Sequence, residues 1–241
     1  MWRFFYTIGR NAFRLPSVIG HMRKLTAEEP FDAEKRYAYM RWITDELMRT
    51  GHIRVEGYGM EHLPQEGGYM MCPNHQGKFD AYGIIATHEK PCSVVMDEAK
   101  SYAPFVKEII DMMRGQRLEL NNPRRAVGVI NAITAEVAEG RRYILFPESG
   151  YTPDKKNKLI DFKAGCFKIA LNSKTPVVPV VLVDTYKAYN SWQLTPVTVQ
   201  VHYLPPITYE EYKDLKSVQL AALVQSRIQA KLDEVLEESK A

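Results

Sequence analysis

At 241 residues the chain can bury roughly 70 to 75% of its unfolded surface, which is one substantial core without covalent staples. A formal charge of +3, with no basic stripe carrying interleaved stacking aromatics, gives no footing for a nucleic-acid partner. The cysteines Cys72, Cys92 and Cys166 are odd in number, lack paired metal-ligand spacing and sit among apolar or small neighbours, so they read as reduced core thiols of a cytosol-facing protein.

The first 24 residues carry Arg3, Arg10, Arg14, Arg23 and Lys24 with no acid, interleaved with Trp2, Phe4, Phe5, Tyr6, Ile8, Phe13 and Leu15. No run approaches the roughly 18 to 20 apolar residues that cross a bilayer, and Arg3 and Arg10 interrupt the segment too early for a signal-peptide core. The pattern suits a segment lying at a membrane surface, aromatics at headgroup depth and cations against anionic lipid. The alternative is an amphipathic helix packed on its own domain. A second helix is expected from Asp32 to Met48, capped by Asp32, with Tyr37, Met40, Ile43 and Leu47 on one face and Gly51 as its stop. Residues 1–50 therefore read as a helical, membrane-associating unit ahead of an α/β unit over 51–241.

From there strands and helices alternate: strands near Ile53 to Val55, Tyr69 to Cys72 and Ser93 to Met96, with helices over Asp80 to His88 and Tyr102 to Met113. Asn122 and Pro123 form a cap and first-turn pair for a helix running to Glu139. Buried strands at Tyr143 to Phe146 and Val177 to Val183 flank a helix from Asp161 to Asn172. An alternating strand at Val197 to Tyr203 and a helix after Ser217 close the chain. The fold class is α/β, a largely parallel central sheet flanked by helices with an N-terminal two-helix unit.

Two loops carry the chemistry. Asn74-His75-Gln76-Gly77-Lys78-Phe79-Asp80 places a proton acceptor and a carboxylate directly after the apolar run Tyr69 to Cys72. In a regular helix residues five apart diverge by about 140° and about 7.5 Å, so their convergence requires a turn, which Gly77 makes easy. Asp80 then serves as both helix cap and imidazole partner. Arg142 to Gly150 is again an apolar run, broken by Pro147, Glu148, Ser149 and Gly150, and it puts polar groups at a strand's carboxyl end, where open α/β sheets bind ligands.

The first block is similar to the Asn-His-x-x-x-x-Asp motif of the glycerolipid acyltransferases, in particular the bacterial lysophosphatidic acid acyltransferases. Phe146-Pro147-Glu148 resembles the opening of their Phe-Pro-Glu-Gly-Thr-Arg motif, and Val177-Val178-Pro179-Val180 their later Val-Pro block. The resemblance covers about Ile53 to Pro206 and departs from the family twice. Ser149-Gly150-Tyr151 stands where the family has Gly-Thr-Arg, and no arginine ends the strand near Leu118 to Asn122. The cation for an acceptor phosphate is then sought among Lys78, Lys100, Arg117, Arg124 and Lys163.

The resemblance implies transfer of an acyl chain from acyl-CoA or acyl-ACP, as co-substrate and not cofactor, to the 2-hydroxyl of lysophosphatidic acid, giving phosphatidic acid at the cytoplasmic face of the membrane. An alcohol attacks a thioester only as its proton leaves, whereas a thiol with a pKa of about 8.5 departs unaided, so one base suffices. An imidazole is mostly neutral at pH 7 and fits that task, with His75 as base and Asp80 orienting it. Glu148 holds a hydroxyl or braces the His75 loop, while cations and backbone N–H groups near Ser149 and Gly150 hold the phosphate. Two rivals remain at this level. One is a lipid esterase acylated on Cys72 or Ser149, although no Gly-x-Ser-x-Gly elbow is present. The other is a lysophospholipid-binding membrane protein without turnover.

Overall fold

The computed structural model describes residues 2–119, 122–151, 153–190 and 195–239. Its first three helices are α1 (Trp2–Asn11), α2 (Leu15–Ala27) and α3 (Ala33–Gly51). The expected basic, aromatic helical segment is split in two, because the chain turns at Ala12 and Arg14 before Pro16 enters the first turn of α2. Asp32 caps α3 through Lys35 N at 2.9 Å. The helix runs three residues past Met48 to Gly51, and its stop is His52, in a left-handed conformation, in place of Gly51. Gly51 serves packing instead: a Cβ there would lie 2.9 Å from Thr7 Oγ1, so the small residue lets α1 cross α3 closely.

The remaining elements run β1 (Ile53–Tyr58), β2 (Tyr69–Pro73), α4 (Asp80–Thr87), β3 (Ser93–Asp97), α5 (Glu98–Ser101), α6 (Val106–Met112), β4 (Gln116–Leu118), α7 (Pro123–Ala138), β5 (Arg142–Ile144), α8 (Lys168–Ser173), β6 (Val177–Val183), α9 (Lys187–Asn190), β7 (Val197–Tyr203), α10 (Tyr209–Tyr212) and α11 (Ser217–Glu238). Two expected helices are shorter than their apolar spacing predicts. Pro104 and the positive φ of Phe105 separate α5 from α6, and the Glu108 carboxylate accepts from Phe105 N at the new start. The helix expected from Asp161 begins at Lys168 after a 3₁₀ turn, because Lys163 N is tied to Pro147 O and holds the preceding chain extended across the 146–150 loop. Asn122 caps α7 as its side chain predicts, while Leu120 and Asn121, in the expected second motif, lie outside the described residues.

Among the described residues the strands form one seven-stranded sheet in the order β1-β7-β6-β2-β5-β3-β4. The run β6-β2-β5-β3-β4 is parallel; β7 is antiparallel to β6, and β1 is parallel to β7. Successive residues of β2 face opposite sides. Tyr69 and Met71 join the layer of α2, α3, α4 and α6, whereas Met70 and Cys72 join that of α7, α8 and α11. This alternation makes β2 and β6 continuous apolar runs, buried on both faces. The carboxyl ends of β2 and its neighbour β5 lie side by side, and each delivers one motif loop to the same edge.

Candidate active site

His75 leaves β2 two residues after Pro73, and Asp80 opens α4 as its first helical residue. Their side chains meet: His75 Nδ1 lies 2.7 Å from Asp80 Oδ2. The same oxygen accepts from Gln76 N at 2.5 Å and Gly77 N at 2.9 Å, so the carboxylate closes the turn itself. This replaces the part expected of Gly77, which does not adopt a left-handed conformation and whose Cβ position has room, 3.6 Å from its nearest neighbour. Asp80 is fully buried, at the positive end of the α4 dipole.

The motif residues that flank His75 anchor its loop to β6. Asn74 Nδ2 donates to Leu182 O at 3.0 Å, and Leu182 N donates to Asn74 Oδ1 at 2.7 Å. Gln76 Nε2 donates to Leu182 O and to Asn157 Oδ1. The imidazole is stacked on Phe146 at 4.2 Å and meets the edge of Tyr151 at 4.6 Å, with 18% of the side chain exposed. Asp80 takes Nδ1, so that nitrogen carries the proton and Nε2 keeps its lone pair; among the described residues Nε2 has no hydrogen-bond partner.

Glu148 stands on the loop after β5, its side chain wholly buried and ion-paired through Oε2 with Lys155, whose side chain is 11% exposed. Burial pushes the Glu148 carboxyl above its ordinary range, while Lys155 and the backbone amide of His75 pull it down. Glu148 is therefore turned inward toward Lys155 and away from solvent. Ser149 follows with φ of 57°, a left-handed conformation at the position where the resembled motif has glycine, and Gly150 continues the loop.

Each of the expected cations is exposed or committed to another side chain. Lys78 is exposed, its ammonium 4.6 Å over the Phe4 ring of α1. Arg117 is committed to Asp111 at 2.5 Å and Ser101 Oγ at 3.0 Å. Lys100 is 67% exposed beside Asp97 on α5, which follows a strand two places from β2, and Arg124 and Lys163 are exposed. Lys155 is the cation the sequence did not suggest; in a run with Lys156 and Lys158 it looks like solvated loop, and only its pairing with Glu148 sets it apart. Burial raises the Cys72 thiol well above its ordinary pKa and removes it as a nucleophile, and no hydrogen bond joins Ser149 to His75 among the described residues.

A cavity of about 600 Å³ lies at the other end of the sheet, against Tyr58, His202, Tyr203 and Lys231. It sits where β1 and β7 end, on the side where β6, antiparallel to β7, begins, and so takes no part in the His75 edge.

Residues 52–183 match the Acyltransferase family, and the chain belongs to that family. It is similar to the 1-acyl-sn-glycerol-3-phosphate acyltransferases of Escherichia coli, 27% identical over 76% of this chain and 74% of that one, and of Cocos nucifera, 29% identical over 59% and 47%. The chain thus spans about half the length of the plant relatives it matches, 47% and 57% for those of Cocos nucifera and Limnanthes alba. Its fold is that of the 1-acyl-sn-glycerophosphate (LPA) acyltransferase PlsC from Thermotoga maritima, with a TM-score of 0.74 at 22% identity over 96% of this chain and 93% of that one.

Proposed function

We propose that this chain transfers a fatty acyl group from a thioester donor, acyl-CoA or acyl-ACP, to the 2-hydroxyl of lysophosphatidic acid, with His75 as general base. The observation that carries this reading is the imidazole held at Nδ1 by Asp80, 2.7 Å away, with its other nitrogen unpartnered. The acceptor hydroxyl gives its proton to Nε2 as its oxygen attacks the thioester carbonyl. The imidazolium formed is stabilised by Asp80, and the tetrahedral intermediate collapses with departure of the thiolate. General-base assistance of this kind supplies roughly 10² to 10⁴-fold, or about 3 to 5 kcal/mol, and leaves the rest to positioning of the two substrates. No acyl-enzyme is needed, and Cys72, the closest thiol in sequence, is enclosed.

The membrane enters this reading as the source of the acceptor and the sink of the product. No helix among the described residues is long and apolar enough to cross a bilayer, whereas Trp2, Phe5 and Phe13 are exposed beside Arg10 and Arg14. That surface supports peripheral attachment at the cytoplasmic face. A labelled acyl-thioester assay offering lysophosphatidate, lysophosphatidylglycerol and glycerol 3-phosphate tests the function. Phosphatidate formation that collapses in H75A is the expected result. Thioester hydrolysis with a labelled protein adduct would replace this reading with an esterase, and binding without turnover would leave a lipid carrier.

A further inference from the structure

We propose that Lys155 is the specificity-determining cation of this site, the group that receives the acceptor's phosphate; the proposal rests on the acyltransferase reading above. Tyr151, three residues after Glu148, brings a ring and no charge: it stands edge-on to His75 at 4.6 Å and walls the imidazole. The place where the resembled motif carries arginine is therefore filled by a side chain with no positive charge to neutralise a phosphate dianion. The other nearby cations are spoken for or solvated, Arg117 by Asp111 and Ser101, Lys78 over Phe4, Lys100 in solvent.

Lys155 has what those lack. It ends a 3₁₀ turn over Pro153–Lys155 on the loop that follows β5, the strand hydrogen-bonded to β2. Its side chain is 11% exposed, and its ammonium is drawn in by the buried carboxylate of Glu148. An ammonium has three donors, Glu148 takes one, and among the described residues no other protein acceptor is bound to it. A nearly buried ion pair is a poor stabilising device, because desolvation offsets the attraction, so its presence beside the site suits a binding role. Two residues on, Asn157 fixes the loop in place: its Oδ1 accepts from Gln76 Nε2 at 2.8 Å and from Asp184 N at 2.9 Å, and its Nδ2 donates to Asp184 Oδ1 at 3.0 Å. Gln76 is the neighbour of His75, so the base and the cation are held on a common frame. Glu148 then orients Lys155 without touching the phosphate itself.

A phosphate could come from the acceptor or from coenzyme A, and kinetics separate the two. Wild type, K155M and K155R are compared with lysophosphatidate and monoacylglycerol as acceptors at varied acyl-CoA. The kcat/KM preference for lysophosphatidate over monoacylglycerol is expected to fall tenfold or more in K155M, through the acceptor KM, and to stay within threefold in K155R. An unchanged preference in K155M, or a change confined to the acyl-CoA KM, overturns the assignment while leaving the reaction in place. A wild-type chain that makes no phosphatidate sinks the reaction and this assignment together. Should K155M lose turnover on both acceptors, lysophosphatidate binding is measured on H75A against H75A/K155M, where at least tenfold weaker binding supports the proposal and equal affinity refutes it.

Discussion

Asp80 Oδ2 accepts three hydrogen bonds at once, so a change there acts on the imidazole and on the turn together. D80N is expected to lower kcat by roughly 10² to 10⁴, and to lose about 1.5 to 3 kcal/mol of stability because two backbone N–H groups lose a charged acceptor. H75A removes the base alone: its kcat should fall by about 10² or more with an unfolding midpoint close to wild type. Paired urea melts and acyl-transfer rates tell the two apart, and a D80N protein as active as wild type would dissolve the dyad. Glu148 gives a pH signature of definite sign. Burial raises its folded pKa, so between the unfolded value, 4.5, and the folded one the native state holds the extra proton, and stability falls as pH rises through that window. In E148Q that decline should vanish, so the stability of E148Q relative to wild type must grow from about pH 4.5 toward neutrality. Ser149 at φ 57° carries left-handed strain that glycine relieves. S149G should therefore stabilise the protein by about 0.5 to 1 kcal/mol after the added unfolded-state entropy, as read from the same melts.

At the scale of elements, α1 shows how far pattern reading reaches. Its basic and aromatic residues look interchangeable in sequence, yet the fold sorts them. Arg3 is fully buried and donates to the carbonyls of Gly51, His52 and Thr195 at 3.0, 3.3 and 2.6 Å, a structural clamp that an interfacial role would have left in solvent. Phe4 packs on Tyr189 at 5.3 Å, and Tyr189 on Phe79 at 5.4 Å, one residue from Asp80. Removing residues 1–24 would therefore damage the site as well as any membrane contact. Point changes at exposed positions are the clean test: Trp2, Phe5 and Phe13 are 52%, 59% and 99% exposed. W2A/F5A/F13A is expected to weaken partition onto anionic vesicles at least tenfold with unchanged melting in solution, since each aromatic buried at the interface is worth on the order of 1 kcal/mol or more. Equal sedimentation with vesicles would remove this face from membrane docking. Six of the seven strands, α3, α4, α7 and α11 were legible because each carries an apolar run, a clean period or a cap, as Asp32 and Asn122 do, whereas the three-residue β4 (Gln116–Leu118) is too short to show a period. The start of α8 and the break before α6 were not, because a distant carbonyl, Pro147 O, and a local backbone strain at Phe105 decide them. The Lys155 pairing escaped for a related reason: nothing within the loop distinguishes one lysine of three, and only the fold brings Glu148 to it.

On the scale of the molecule, the sheet separates two populations of histidine. His75 stands at the carboxyl edge of the parallel strands, whereas His88 caps the far end of α4, fully buried, with Nε2 2.7 Å from the Tyr69 hydroxyl and Nδ1 3.4 Å from that of Tyr37. Burial lowers the His88 pKa from 6.5 to about 4. The unfolded chain then takes up the proton first, so the stabilising contribution is complete above pH 6.5 and is lost as pH falls toward 4. A gap of that size corresponds to about 3 kcal/mol. Because α4 carries Asp80 at one end and His88 at the other, acid that protonates His88 loosens the helix that presents the partner of His75. H88Q tests this: its acid-limb stability loss between pH 7 and pH 4 should shrink by about 3 kcal/mol. An H88Q protein that unfolds in acid as readily as wild type would move the acid sensitivity elsewhere, with His202, also pushed down to about 4 by burial, the next group of the same sign.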